Sequence, residues 1–120
     1  MDSGFRTDLA ALLSGRKLYI RCGATDGRIG SERLTYVASC IDKNAKTEGS
    51  VFAFCSKSKK VIKLIFWDEG SLWCIERRIH KGSYSWPKTK NDAAFIKRTA
   101  RLITSLLMSP QEKKNWKVGV

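Results

Sequence analysis

Histidine, closely paired cysteines, acidic side chains and long apolar runs are all scarce in this chain, and each shortage argues against a class of function. With His80 as the single histidine, standing in a Lys-Gly turn, no serine or cysteine nucleophile sits in a recognisable hydrolase signature beside a histidine base. The four cysteines, Cys22, Cys40, Cys55 and Cys74, are widely spaced. None forms the close pair that a zinc knuckle or a thioredoxin-like centre requires, so reduced, mostly buried thiols are expected and no metal or cofactor is assigned. Apolar runs such as Leu64 to Trp67 and Leu72 to Ile75 are strand-sized, far short of a membrane span. The Met1 to Arg6 segment lacks a basic region followed by an apolar stretch, so nothing directs export and a cytoplasmic location without membrane partners is expected.

The acidic shortage has the largest consequence. Eleven Asp+Glu against 23 Lys+Arg leave a formal charge of +12 and a pI near 9.9, a balance that suits polyanionic partners through counterion release. Asp26, Asp68 and Glu76 are the candidates for a two-metal site of the strand-transfer kind. Each has a plainer reading: Asp26 lies in a glycine-containing loop, Asp68 opens a turn, and Glu76 stands beside Arg77 and Arg78. Gly23, Gly27 and Gly30 miss the spacing of the dinucleotide and Walker loops. The expectation is therefore a protein that is not an enzyme.

The length of 120 residues fits one domain. A helix over 3–14 is expected from Phe5, Leu9, Leu12 and Leu13, with Ser3 as a cap and Gly15 as a stop. Lys17 to Cys22 reads as a strand, and a second helix follows Ser31, with Leu34, Val37, Ala38 and Ile41 as its stripe. From Gly49 the pattern becomes β-branched and aromatic: Val51 to Cys55, Val61 to Trp67, Leu72 to Ile79 and Ser83 to Trp86, joined by Ser-Lys, Asp-Glu-Gly-Ser and Lys-Gly turns. The second of these carries apolar residues on both faces and is expected to be covered on both sides. After Pro87, a helix over 91–108 capped by Asn91 or Asp92 is expected to bury Phe95, Thr99, Leu102, Ile103 and Leu106, followed by a tail over 109–120. The fold class is thus α+β: an antiparallel β-meander of four to five strands packed with about three helices, in a single domain over 1–120 with a core at 16–90.

The basic residues interleave with aromatics. Lys57, Lys59 and Lys60 lie on one hairpin, Arg77, Arg78 and Lys81 approach the next, and Tyr84, Trp86, Lys88 and Lys90 follow, so turns can track phosphates while an aromatic stacks on a base. The plainer alternative puts Trp67, Trp73, Tyr84 and Trp86 in the core.

Four blocks carry a more specific likeness: Gly23-Ala24-Thr25-Asp26-Gly27-Arg28-Ile29-Gly30, Gly49-Ser50-Val51-Phe52-Ala53-Phe54, Ile62-Lys63-Leu64 through Asp68, and Arg77-Arg78-Ile79-His80-Lys81-Gly82-Ser83-Tyr84-Ser85-Trp86-Pro87. In order and spacing they resemble the small second-reading-frame (TnpB, Orf2-like) proteins of the IS66 family of bacterial insertion sequences. The last block is the most specific, since it combines a basic pair, a glycine turn, an aromatic and Trp-Pro. Gly27, Ile29, Arg77 and His80 depart from that family's usual residues. The resemblance implies a non-catalytic accessory protein of transposition encoded beside a separate, larger transposase; with the basic surface added, the expected partners are DNA at the element ends, that transposase and the element's other accessory protein. It carries over to Asp26, Arg28, Lys63, Arg77, Arg78, Gly82, Trp86 and Pro87. Joined to the basic hairpins, this yields the expected nucleic-acid contacts Arg28, Lys57, Lys59, Lys60, Lys63, Arg77, Arg78, Lys81 and Trp86, with Asp26, Gly82 and Pro87 shaping the backbone and Asp26 orienting Arg28 or Arg77. A protein-docking subunit whose basic face meets the transposase is the alternative.

Overall fold

The computed structural model of the chain describes residues 3–88, 95–99 and 101–108. Its elements run α1 (Ser3–Leu13), β1 (Lys17–Arg21), α2 (Ser31–Ile41), α3 (Ala45–Glu48), β2 (Val51–Cys55), β3 (Val61–Asp68), β4 (Ser71–Arg78), β5 (Phe95–Thr99) and α4 (Arg101–Met108). The fold is α+β, with one mostly antiparallel five-stranded sheet in the order β4-β3-β2-β1-β5.

The expected meander is present for β2, β3 and β4, which pair antiparallel in sequence order. The hairpin between β3 and β4 closes on Glu69 (φ 49) and Gly70 (φ 77). Two consecutive left-handed residues are the requirement of the tight turn whose twist matches that of the strands.

Three expectations are corrected. β1 pairs parallel with β2, Tyr19 opposite Phe52, so the sheet is mixed. The connection through α2 and α3 supplies the long crossover that parallel pairing demands. Ser83 to Trp86 is not a strand but part of a strap that crosses the sheet face, because Gly82 (φ 73) turns the chain away and Pro87 has no N–H to give a ladder. Finally, Phe95 to Thr99, expected as helix, is strand β5, paired residue for residue with β1 from Arg21↔Phe95 to Lys17↔Thr99. Without it β1 would expose an edge, and an aromatic with Ile96 and Thr99 suits a pleated surface as well as a helix. The helix survives as α4, with Ile103 and Leu106 fully buried. The Asn91/Asp92 cap, Lys90 and the 109–120 tail lie outside the described residues.

Strand alternation divides the core. Leu18, Ile20, Val51, Ala53, Ile62, Leu64 and Phe66 form one face, covered by Leu13, by Ile103, Leu106 and Leu107 of α4, and by Tyr84 and Trp86. Phe52, Phe54, Ile65 and Trp67 form the other, covered by Leu34 and Ala38 of α2 and by Ala45. The α2 stripe is narrower than its periodicity suggests, since Ile41 remains 42% exposed. β2 is buried at every position and β3 at all but Lys63 and Asp68. Each fully buried Leu or Phe contributes roughly 1.5–3 kcal/mol, so this central pair anchors everything attached to it.

β4 is different. It is a sheet edge, largely exposed along its length, with Leu72 and Trp73 at 41% and 44% exposure. The Trp73 ring stacks on Phe66 at 6.0 Å. Of the cysteines, Cys22 and Cys55 are buried whereas Cys40 and Cys74 are exposed, which corrects the expectation of mostly buried thiols. Burial pushes the Cys55 thiol up to about 12, so it stays protonated and inert.

Candidate nucleic-acid interface

The turn between β2 and β3 is built by Ser56 and Lys59. The Ser56 amide donates to Val61 O at 2.9 Å and the Lys59 amide to Ser56 O at 3.0 Å. To close it, Lys59 adopts φ 61, a conformation uncommon for residues with a Cβ. The strap after β4 then docks on this turn: the Ile79 amide donates to Lys60 O at 2.8 Å and the Tyr84 amide to Lys59 O at 2.7 Å. Lys60 Nζ donates to Gly82 O at 2.7 Å.

The far end of the strap is held as firmly. Trp86 Nε1 donates to Arg21 O at 2.8 Å, and the Gly23 amide donates to Pro87 O at 2.9 Å. Tyr84 and Trp86 are therefore core residues, 1% and 7% exposed, and Trp86 is not the open stacking platform that its basic surroundings in sequence suggest. Between the turn and the strap lies a recess of about 300 Å³, lined by Gly23, Ala24, Ser56, Lys57, Lys59, Trp86, Pro87 and Lys88. Three of those residues are lysines and none is acidic.

The remaining expected contacts separate. Arg77 lies opposite Ile62 and Arg78 opposite Val61, so the adjacent arginines point to opposite faces of the sheet. Arg78 and Lys81 are exposed and Arg77 is half-buried. Lys63 is enlisted by the fold: its ammonium donates to Gly27 O at 2.9 Å and Ile29 O at 3.3 Å, and lies 3.8 Å from Glu76. It pins the 23–30 loop to the sheet.

On that loop Asp26 and Arg28 form a forked pair. Arg28 Nη2 to Asp26 Oδ2 is 2.8 Å, Arg28 Nε to Oδ1 is 3.1 Å, and the Arg28 amide also donates to Oδ1 at 2.9 Å. These side-chain and backbone bonds from Arg28 hold the Asp26 carboxyl down at about 2. Asp26 thus orients Arg28, not Arg77, and the Arg28 side chain stays 92% exposed. Asp26, Asp68 and Glu76 do not converge. Among the described residues no group of three His, Cys, Asp or Glu is placed to hold a metal ion, and no helix is long and apolar enough to cross a membrane.

Sequence reading missed Arg16. Its guanidinium donates to Leu12 O at 2.8 Å, Gly49 O at 2.9 Å, Trp67 O at 3.1 Å and Asp68 Oδ1 at 2.8 Å, and lies 5.0 Å over the Phe66 ring. It locks the end of α1 to the start of β2 and the end of β3. Gly49, at φ 68, has no room for a Cβ beside Arg16 Nη1. No local signal marks this use of an arginine, because apart from Leu12 O its partners, the Gly49 and Trp67 carbonyls and the Asp68 carboxylate, are distant in sequence.

A family model described as IS66 Orf2-like protein matches residues 16–113. The chain belongs to the IS66 Orf2-like family. Membership implies an accessory role in insertion-sequence transposition. The match begins at Arg16 and runs past the four motif blocks. The chain is also 28% identical over 81 residues to the uncharacterized protein y4hO of Sinorhizobium fredii (strain NBRC 101917 / NGR234), covering 67% of this chain and 70% of that protein. No solved structure matches.

Proposed function

We propose that this IS66 Orf2-like protein is a non-catalytic transposition accessory that binds DNA, at the element ends, through the basic surface of the 56–60 turn and the 79–88 strap. The observation that carries this reading is the convergence of Lys57, Lys59 and Lys88 on one recess whose lining has no acidic residue among the described residues. Lysines gathered around a shared opening repel one another unless an anion joins them, and a net charge of +12 adds long-range attraction for a polyanion. Arg78, exposed on edge strand β4, extends the positive surface beyond the recess. Gel-shift titration of element-end duplexes at rising salt tests the reading. Affinity should fall steeply as salt increases; affinity indifferent to salt, or no binding, overturns it.

A second reading, docking on the partner transposase, is favoured by one observation. The uncharged half of edge strand β4 leaves Leu72 and Trp73 uncovered, and such an edge accepts a strand or an apolar patch from another protein. Co-purification with transposase after nuclease treatment separates the two. An association that survives nuclease and disappears in Trp73→Lys belongs to protein docking; one abolished by nuclease belongs to DNA.

A further inference from the structure

We infer that the recess between the 56–60 turn and the 84–88 strap binds a single unpaired nucleotide, so that the protein prefers DNA containing an extrahelical or single-stranded base over fully paired duplex. This rests on the DNA-binding reading above and names the substrate feature its central site takes.

Three properties of the recess point the same way. Its volume, about 300 Å³, lies at the small end of the range of ligand clefts, roughly 300–1,000 Å³. That suits one nucleotide and is too small for any duplex. Its lining joins Ala24, Pro87 and the small exposed part of Trp86 to the three lysines Lys57, Lys59 and Lys88. An apolar slot rimmed by cations matches a flat base carried on a phosphate backbone. The walls are also fixed in place: Trp86 is tied to Arg21 O, Pro87 O to the Gly23 amide, and the Lys59 backbone to Ser56 and Tyr84. Lys59 is held at φ 61, a sparsely populated conformation of the kind that clusters at binding sites and persists only where surrounding bonds impose it. Paired DNA cannot use the slot, whereas a base already out of the stack enters without the cost of unpairing.

The test measures affinity of the full chain for three labelled probes of equal length at one salt concentration: a paired duplex, the same duplex with one bulged nucleotide, and its single strand. Two variants accompany the wild type. Ala24→Trp fills the recess from an exposed position, and Lys57→Glu/Lys88→Glu reverses charge at its rim on exposed side chains, so that a folding failure of one leaves the other to decide. The expected result is at least about fivefold tighter binding of the bulged and single-stranded probes, near the lower end of what one bound base contributes. Ala24→Trp should abolish that preference while the paired duplex still binds, and Lys57→Glu/Lys88→Glu should weaken all three probes and the bulged and single-stranded ones most, so that the preference shrinks. Equal affinity of wild type for the three probes, or a preference that persists in both variants, overturns the recess as a nucleotide site and leaves duplex binding standing. Failure to bind any probe overturns both proposals.

Discussion

The two ends of the basic surface use their positive charge in opposite ways. Around the 23–30 loop, Lys63 is spent on the carbonyls of Gly27 and Ile29, and Arg28 is forked onto Asp26. Around the 56–60 turn Lys60 is engaged that way, by Gly82 O, while Lys57, Lys59 and Lys88 rim an opening. A net charge read from composition treats all of these alike. A cation engaged by a carbonyl stabilises the fold, whereas one left at a rim is available to a partner, and substitution separates the two by whether it moves stability or binding.

The largest stability effect is expected at the most fully engaged cation. Arg16→Met should cost about 3 kcal/mol in denaturant unfolding, because it strands the Gly49 and Trp67 carbonyls and Asp68 together. Lys57→Gln/Lys88→Gln should leave the unfolding free energy within about 0.5 kcal/mol of wild type, yet weaken duplex binding severalfold at moderate salt. Lys63→Met should do the reverse, costing about 1 kcal/mol of stability through the loosened 23–30 loop with little change in DNA affinity. If Lys63→Met weakens binding as strongly as the Lys57/Lys88 pair, the division between engaged and available charge fails.

Asp26 sharpens the contrast by pH. Its folded carboxyl sits at about 2, below its unfolded value near ~3.9. Because the folded value is depressed, the contribution of the Asp26–Arg28 pair is complete above the unfolded value and is lost as pH falls from there through about 2. A carboxyl-carbon NMR titration should find this midpoint near 2, moving up toward the ordinary aspartate range in Arg28→Ala. The smallest effect is expected at the β3–β4 turn: Glu69→Asn, which suits the left-handed φ of 49, should raise stability by about 0.5 kcal/mol.

How far the sequence foretells this molecule depends on whether the deciding interaction is local. β2, β3 and β4 are legible because alternation and turn residues lie next to one another along the chain. Phe95 to Thr99 is not, since its apolar spacing fits a helix and only the vacant edge of β1 turns it into a strand. The parallel β1–β2 pairing depends likewise on a crossover through two helices. For the site, residue types are legible and their uses are not. Lys57, Lys59 and Lys63 look equivalent in sequence, but what sorts them is the position of the Gly27 and Ile29 carbonyls, which the chain brings from far upstream. Trp86 stands among basic residues as a base-stacking side chain would, yet its ring lies in the core with the indole N–H given to Arg21 O.

The most direct test of the account is the slope of log affinity against log salt for one element-end duplex, measured for wild type, Lys57→Gln/Lys59→Gln/Lys88→Gln and Lys63→Gln. The slope should shrink in the triple variant by roughly 0.9 for each phosphate no longer neutralised and stay at the wild-type value in Lys63→Gln. A triple variant with an unchanged slope, or a Lys63→Gln slope reduced as much as that of the triple variant, would contradict it.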